Sequence, residues 1–566
     1  MHATQHTEID GVPVLLAPGG GGPTRAGLVF RVGRADETAA TGGITHLVEH
    51  LALHRQGGLG HDANGMTGMT TTQFVTQGTP ESVAAFLHEV CAGLRELPLE
   101  RLGVEQRILG TEADNRADPV GLPLAVYRYG ARDYGLAGLP EWGIHSLTAE
   151  QVAEWARTRF NRANAALWIA GDDIPPGLRL DLPDGDRWPP PPESSALPVT
   201  PAWFTGAAPA VVMNAPVPRT RAAAAYARLL DRALFRQLRQ EGGLSYTAAA
   251  AYTTDGRPHA YVTAVADGRP AQLGEVLDGF LAEVHRLATT EVDPAELETV
   301  RARELAVLDS ADADANLLPR RAADLLCGFD AATTAELVEG FRSLTAADVR
   351  EVAADAERSA LLMVPRTGVR RPPAGFEAAP SYSRFAVTGT RHRSRTDPNT
   401  VLVLGADGVS VVRPHAPSTV LFTECVAALR FPDGARHLIG PDAIAVQIEP
   451  TLFRLPSDAA ARIDAALPPE VLIDLPARAP DAVPRPNRAA GLRARGRRLA
   501  VPARARLDRL TMYRGRTAST LATIALTLLA LVSAVLAIAQ PERPLGWLTA
   551  GLLVTLSLRR WFRGRS

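Results

Sequence analysis

The chain has 566 residues, of which 46% are hydrophobic and 21% charged, with a formal net charge of −1. That balance excludes a disordered chain, and the length exceeds what one core can organise, so several domains are expected. Three dispersed cysteines exclude a disulfide framework and fit a reducing compartment, and no nucleic-acid partner is expected.

Lysine is absent, so every basic side chain is Arg, which together with the abundant Ala points to a GC-rich bacterial genome. The opening "MHATQHTEID" has no basic patch followed by an apolar core, so no signal peptide is read there and the following domains are expected in the cytoplasm. Residues 9–33 alternate as strands around a Gly-rich turn. A helix follows in "GGITHLVEHLALH", residues 42–54, and a second at 79–97 starts on Thr-Pro. A third spans about 100–117; a fourth, at 146–160, takes Thr148 as its N-cap and leads into a buried strand at 165–173. The run "RWPPPPESSALPVTP", 187–201, reads as a stiff linker.

Beyond it the pattern restarts. "SLTAEQVAEWARTRFNRANAALWIAGD" from residue 146 matches "SLTAADVREVAADAERSALLMVPRTG" from residue 343 as capped helix, turn and apolar strand. Each closes a unit of similar length, so 1–186 and 202–368 read as two copies of one α+β fold. Residues 369–398 form a second linker. Short strands with Asp-Gly turns and one helix (457–467) make 399–480 a small β-rich module, resembling a pleckstrin-homology-like barrel suited to docking.

The Arg-rich segment 481–516 precedes a transmembrane hairpin and basic tail, 517–566. Residues 517–540 carry no charge and are long enough to span a bilayer. A second apolar run, 545–558, is about 21 Å long as a helix, shorter than a full span. Arginines on both flanks place both ends in the cytoplasm. A membrane anchor is expected.

In the opening helix His46 and His50 are four residues apart, on one face, where two imidazoles can grip one metal ion. Glu49 stands beside them as a candidate base, in the inverted order H-x-x-E-H. Taken alone, the pattern also serves as a wet helical face. A second element, "VEQRILGTEADNRADP", sets Glu105 and Glu112 two turns apart on one face and offers the carboxylate that a two-histidine site needs.

Here the chain resembles the M16 peptidase family, of pitrilysin and insulin-degrading-enzyme type, which pairs H-x-x-E-H with a downstream E-x6-E. The resemblance covers about residues 8–368. It implies a zinc endopeptidase with His46, His50 and Glu112 as ligands, Glu49 as general base and Glu105 as a supporting carboxylate. "NGMTGMTTTQFVTQG" sits where the family has a substrate-binding edge strand, implying peptide contacts at Asn64 and Thr67. "LRQEGGLSYTAAAAY" matches the family's Arg/Tyr motif, so Arg239 and Tyr246 would stabilise the developing oxyanion. Family members close a chamber from four such domains, so a homodimer is expected here. The stretch after His50 is shorter than the family's and lacks its extra helix.

Overall fold

Alternating residues near the N-terminus fold as β1 (Gln5–Ile9), β2 (Val12–Ala17) and β3 (Thr24–Phe30), the first two joined by a tight turn through Asp10 and Gly11. β4 (Ala63–Thr67), β5 (Thr72–Gly78) and β6 (Ala165–Ala170) complete a six-stranded sheet of order β1-β2-β6-β3-β5-β4. Only the β2–β6 pair is parallel; β4 is the terminal strand and pairs with β5 alone. The computed structural model describes residues 4–54, 63–115, 120–369, 371–414 and 416–486. Most of the segment after His54, and the whole expected membrane hairpin, lie outside these residues. Among the described residues no helix is long and apolar enough to cross a membrane.

The first sheet carries α1 (Ile44–Leu53), α2 (Pro80–Arg95), α3 (Leu102–Asn115), α4 (Gly121–Tyr129) and α5 (Ala149–Arg159). The start signals act as expected. Thr79 caps α2 by accepting from the Ser82 amide, with Pro80 at the first helical position, and Thr148 forms a capping box with Gln151.

β7 (Ala202–Gly206), β8 (Ala210–Val217), β9 (Ala248–Thr253), β10 (Ala260–Asp267), β11 (Leu361–Pro365) and β12 (Glu377–Ala378) build the second sheet, of order β12-β7-β11-β8-β10-β9. Setting aside the outermost β1 and β12, the two sheets share one strand order, and in each the first strand runs parallel to the last. α6 (Arg221–Leu234), α7 (Leu273–Thr289), α8 (Pro294–Leu308), α9 (Ala313–Leu326), α10 (Thr334–Arg342) and α11 (Ala346–Ser359) accompany it.

β6 is buried along its whole length because both faces of its sheet are covered. One face meets α1, α2 and α5; the other meets α9 of the second domain through Ala315, Leu318, Ala322 and Leu326. Arg128 of α4 ties the domains together from inside, donating to Asn214 Oδ1 (3.1 Å), the Asn214 carbonyl (2.6 Å) and the Ser359 carbonyl (3.2 Å). The Pro-rich stretch 187–201 is seated in this junction. Trp188 stacks under Arg159 at 3.6 Å, and Glu193 accepts from Tyr129 at 2.6 Å.

The expected linker 369–398 departs from its reading. β12 extends the second sheet, and β13 (Gly389–Arg393) opens a third. Both are exposed edge strands held through the backbone, so apolar alternation does not mark them. The third sheet continues with β14 (Val401–Gly405), β15 (Gly408–Arg413) and β16 (Ala416–Leu421). A fourth runs β19 (Ala445–Ile448), β18 (Arg436–Ile439), β17 (Ala427–Arg430), β20 (Leu472–Asp474). With α12 (Ala459–Ala466) these two sheets enclose one core, containing Leu402, Val420, Leu438, Ile448 and Ile463. The module packs on the first domain: Ala427, Leu429, Ile439 and Ile473 meet Ala39, Ala40, Ala131 and Leu136.

Met1–Ser394 and Asn399–Pro484 form one compact unit. Arg395–Pro398 and Arg485–Ser566 form a second unit, of which only 395–398, 485 and 486 are among the described residues.

Candidate metal centre

α1 starts at Gly43, whose φ of 96° and lack of a side chain are both needed: a Cβ there would come within 2.5 Å of Ile144. Glu37 caps this start, accepting from the Gly43 and Thr45 amides at 2.9 Å each. Burial pushes the Glu37 carboxyl up to about 7, against the lowering effect of those two bonds. Leu47, Val48, Leu51 and Ala52 anchor α1 in the core, which turns His46 and His50 to the opposite side. Their rings meet edge to face with centroids 4.9 Å apart.

Ligand atoms of His46, Glu49 and His50 lie within 4.8 Å of one another. α3 supplies the carboxylates. Glu112 places its two oxygens 3.8 Å from His46 Nε2 and 3.9 Å from His50 Nε2. Glu105, two turns earlier and buried, lies 3.3 Å from His50 Nδ1 and is held by Arg101 at 3.0 Å. The other histidine has a matching support absent from the sequence reading: Glu141 Oε2 is 3.2 Å from His46 Nδ1, and Glu141 pairs with Arg34 at 3.3 Å. Each imidazole therefore has Nδ1 held by a carboxylate and Nε2 turned toward Glu112. That pattern fixes orientation and raises ligand basicity at metal centres.

Two donors of one tetrahedral zinc ion stand about 3.4 Å apart. The observed 3.8 and 3.9 Å are a few tenths wider, and the two-imidazole, one-carboxylate set is of the kind zinc takes. Glu49 is buried beside this group and accepts from Thr67 Oγ1 at 2.6 Å. Gly65 makes room for it, because a Cβ there would lie 2.5 Å from Glu49 Oε1. A cavity of about 380 Å³ opens here, lined by Arg34, His46, Glu49, Gly65, Met66, Thr67 and Glu141. Asn64 is exposed on the same strand and makes no hydrogen bond to the metal-motif side chains. The outer edge of β4 is open among the described residues, so an extended peptide can add to it as a strand.

Arg239 and Tyr246 come together elsewhere. Both are exposed on the second domain, with the guanidinium 4.9 Å from the tyrosine ring centre, and neither contacts the histidine group. Asp267, also missed in the sequence, holds the tyrosine loop by accepting from Ser245 Oγ and from the Tyr246 and Thr247 amides at 2.8–2.9 Å. Burial alone would raise the Asp267 carboxyl, but these hydrogen bonds hold it below its usual range.

Comparison with known proteins bears on the fold that carries this group. Residues 206–304 match the model of the family described as the M16 peptidase inactive domain. No curated protein matches the chain. Among solved structures, a protease from Helicobacter pylori is 17% identical, with a TM-score of 0.52 over 65% of this chain and 100% of that one. An M16 inactive domain from Pseudomonas fluorescens is 16% identical (TM-score 0.54, 65% and 99% covered). A chain of complex III from Candida albicans is 14% identical (TM-score 0.53, 64% and 96% covered). At these identities the likeness is one of fold: a mixed α/β architecture matching the two-domain M16-like peptidases.

Proposed function

We propose that the chain is a zinc-dependent endopeptidase acting on peptides or unfolded segments. The observation that supports this most directly is the convergence of His46, His50 and Glu112, each imidazole backed by its own carboxylate, next to the buried Glu49. His46, His50 and Glu112 would hold the ion. When bound, zinc supplies Lewis acidity and lowers the pKa of a coordinated water to about 7. Glu49, positioned by Thr67, takes the proton of the attacking water and passes it to the leaving amine. β4 aligns the substrate as an added strand, with Asn64 and Thr67 beside the peptide. Arg239 and Tyr246, exposed and making no contact with the histidines, are available to a second copy, so the working form is a homodimer in which each chain's pair serves its partner's peptide. Residues 517–566 anchor the enzyme in the cell membrane, with the peptidase domains on the cytoplasmic side.

A second reading, a catalytically silent partner subunit, is favoured by the match to an inactive domain and by the likeness to a complex III chain. The matched residues, 206–304, contain none of the metal-motif side chains, so that description bears on the second domain. Metal analysis and peptide cleavage by the wild type and Glu49→Gln separate the two. One equivalent of zinc in both proteins is expected, with turnover reduced in the variant by about 10²–10⁴-fold. A wild type that binds no stoichiometric zinc, or that cleaves nothing the variant spares, would establish the silent subunit.

A further inference from the structure

A second cavity, of about 300 Å³, opens in the second domain between the start of α6, the helices α9 and α10, and the loop 329–332. It shares no lining residue with the metal-motif cavity. Four arginines line it: Arg219, Arg221, Arg320 and Arg321. Arg321 is already engaged, by Asp314 at 2.7 Å, Thr334 at 2.9 Å and the Ala332 carbonyl at 3.1 Å.

Two of the other three share one carboxylate. Arg219 pairs with Asp324 Oδ1, and Arg320 Nε lies 3.5 Å from Asp324 Oδ2. Arg221 has neither a hydrogen bond nor an ion pair among the described residues. Its stem is braced against α10, where a Cβ at Gly340 would stand 2.9 Å from Arg221 Cγ. Arg219 is fixed by stacking on Phe329 at 3.9 Å and by a bond to the Arg257 carbonyl at 2.9 Å. The remaining acid, Asp330, is exposed at the mouth.

Three guanidiniums facing one buried carboxylate leave two positive charges uncompensated in a partly desolvated pocket, an arrangement that costs stability unless an anion completes it. α6 adds to the imbalance, because its first turn contains no acidic residue and its amides present further positive potential. Burial first, and Arg320 after it, pull the Arg221 guanidinium below its ordinary value, while Tyr252 and Asp324 act the other way.

We propose that this cavity binds a small phosphate-bearing dianion, gripped by Arg219, Arg221 and Arg320. A carboxylate would neutralise only one of the two charges. A phosphate matches both and presents the oxygens that planar guanidinium forks grip. The volume stands at the lower end of small-molecule sites, which suits inorganic phosphate, pyrophosphate or a small sugar phosphate.

Titration calorimetry on the full chain tests this with inorganic phosphate, pyrophosphate, ribose 5-phosphate and, as the monoanion control, acetate. Saturable binding of at least one phosphate is expected, weakened about tenfold or more in Arg221→Ala and in Arg320→Gln, which is about 1.4 kcal/mol or more. Arg228→Ala, which removes an exposed pair with Glu304, should bind as the wild type does. The preferred probe tells free phosphate from an organic phosphoester. Absence of saturable phosphate binding in the millimolar range, wild-type affinity in both pocket variants, or acetate binding as tightly as phosphate would overturn the assignment. Should Arg221→Ala not fold, the milder Arg320→Gln, judged by its far-ultraviolet dichroism, decides.

Discussion

Glu141 lies 95 residues from His46 and yet sets the direction of its ring. Its charge, held between Arg34 and the imidazole, would make His46 a better ligand in the proposed zinc site. Glu141→Gln should lower zinc affinity by about 10–100-fold with little change in fold, read by competition with a chelator. Glu37 carries a pH dependence. Its carboxyl is raised from 4.5 to about 7 when folded, so the native state holds a proton that the unfolded chain releases earlier. This contribution is complete below about pH 4.5 and is lost as pH rises through about 7, a change on the order of 3 kcal/mol. Urea unfolding across that range should show stability falling with pH, and Glu37→Gln should flatten the slope. Helical periodicity puts His46, Glu49 and His50 on one face and Glu105 and Glu112 on another, while the roles expected of them came from the family resemblance. Glu37, Glu141 and Asp267 were not legible in the sequence, because irregular or distant backbone delivers them and no spacing rule connects them to what they hold.

At the level of elements, backbone packing decides how much room these side chains have. β4 runs so close over α1 that Gly65 leaves just enough space for the Glu49 carboxylate. Gly65→Ala should displace Glu49 and cut turnover by roughly 10²-fold while zinc remains bound, a split that a silent subunit would not show. Helix starts were readable, since Thr79, Thr148 and Thr345 all accept the amide their position predicts. The edge strands β12 and β13 were hidden inside an apparent linker, where backbone pairing asks nothing distinctive of the side chains. The duplication was visible in the closing helix and strand of each copy, and the shared strand order extends it to elements whose sequences no longer resemble one another.

At the scale of the whole molecule, the β-rich module covers the segments that carry Glu37, Arg34 and Glu141. Ala39, Ala40, Leu139 and Trp142 pack against it, and the Ala131 amide donates to the Pro441 carbonyl at 3.0 Å. Removing residues 381–566 should expose this apolar face, lower the melting temperature by several degrees in calorimetry and weaken zinc binding along with it. The junction between the two peptidase-like domains has a further consequence. Arg128 is bonded to backbone carbonyls across it, α9 of one domain roofs the sheet of the other, and the Pro-rich stretch is seated between them. Flexing at this seam would strand a buried guanidinium and bare a continuous apolar layer. The pair of domains is therefore expected to act as one body, and in the proposed homodimer a peptide would gain entry when two chains part rather than when either one bends.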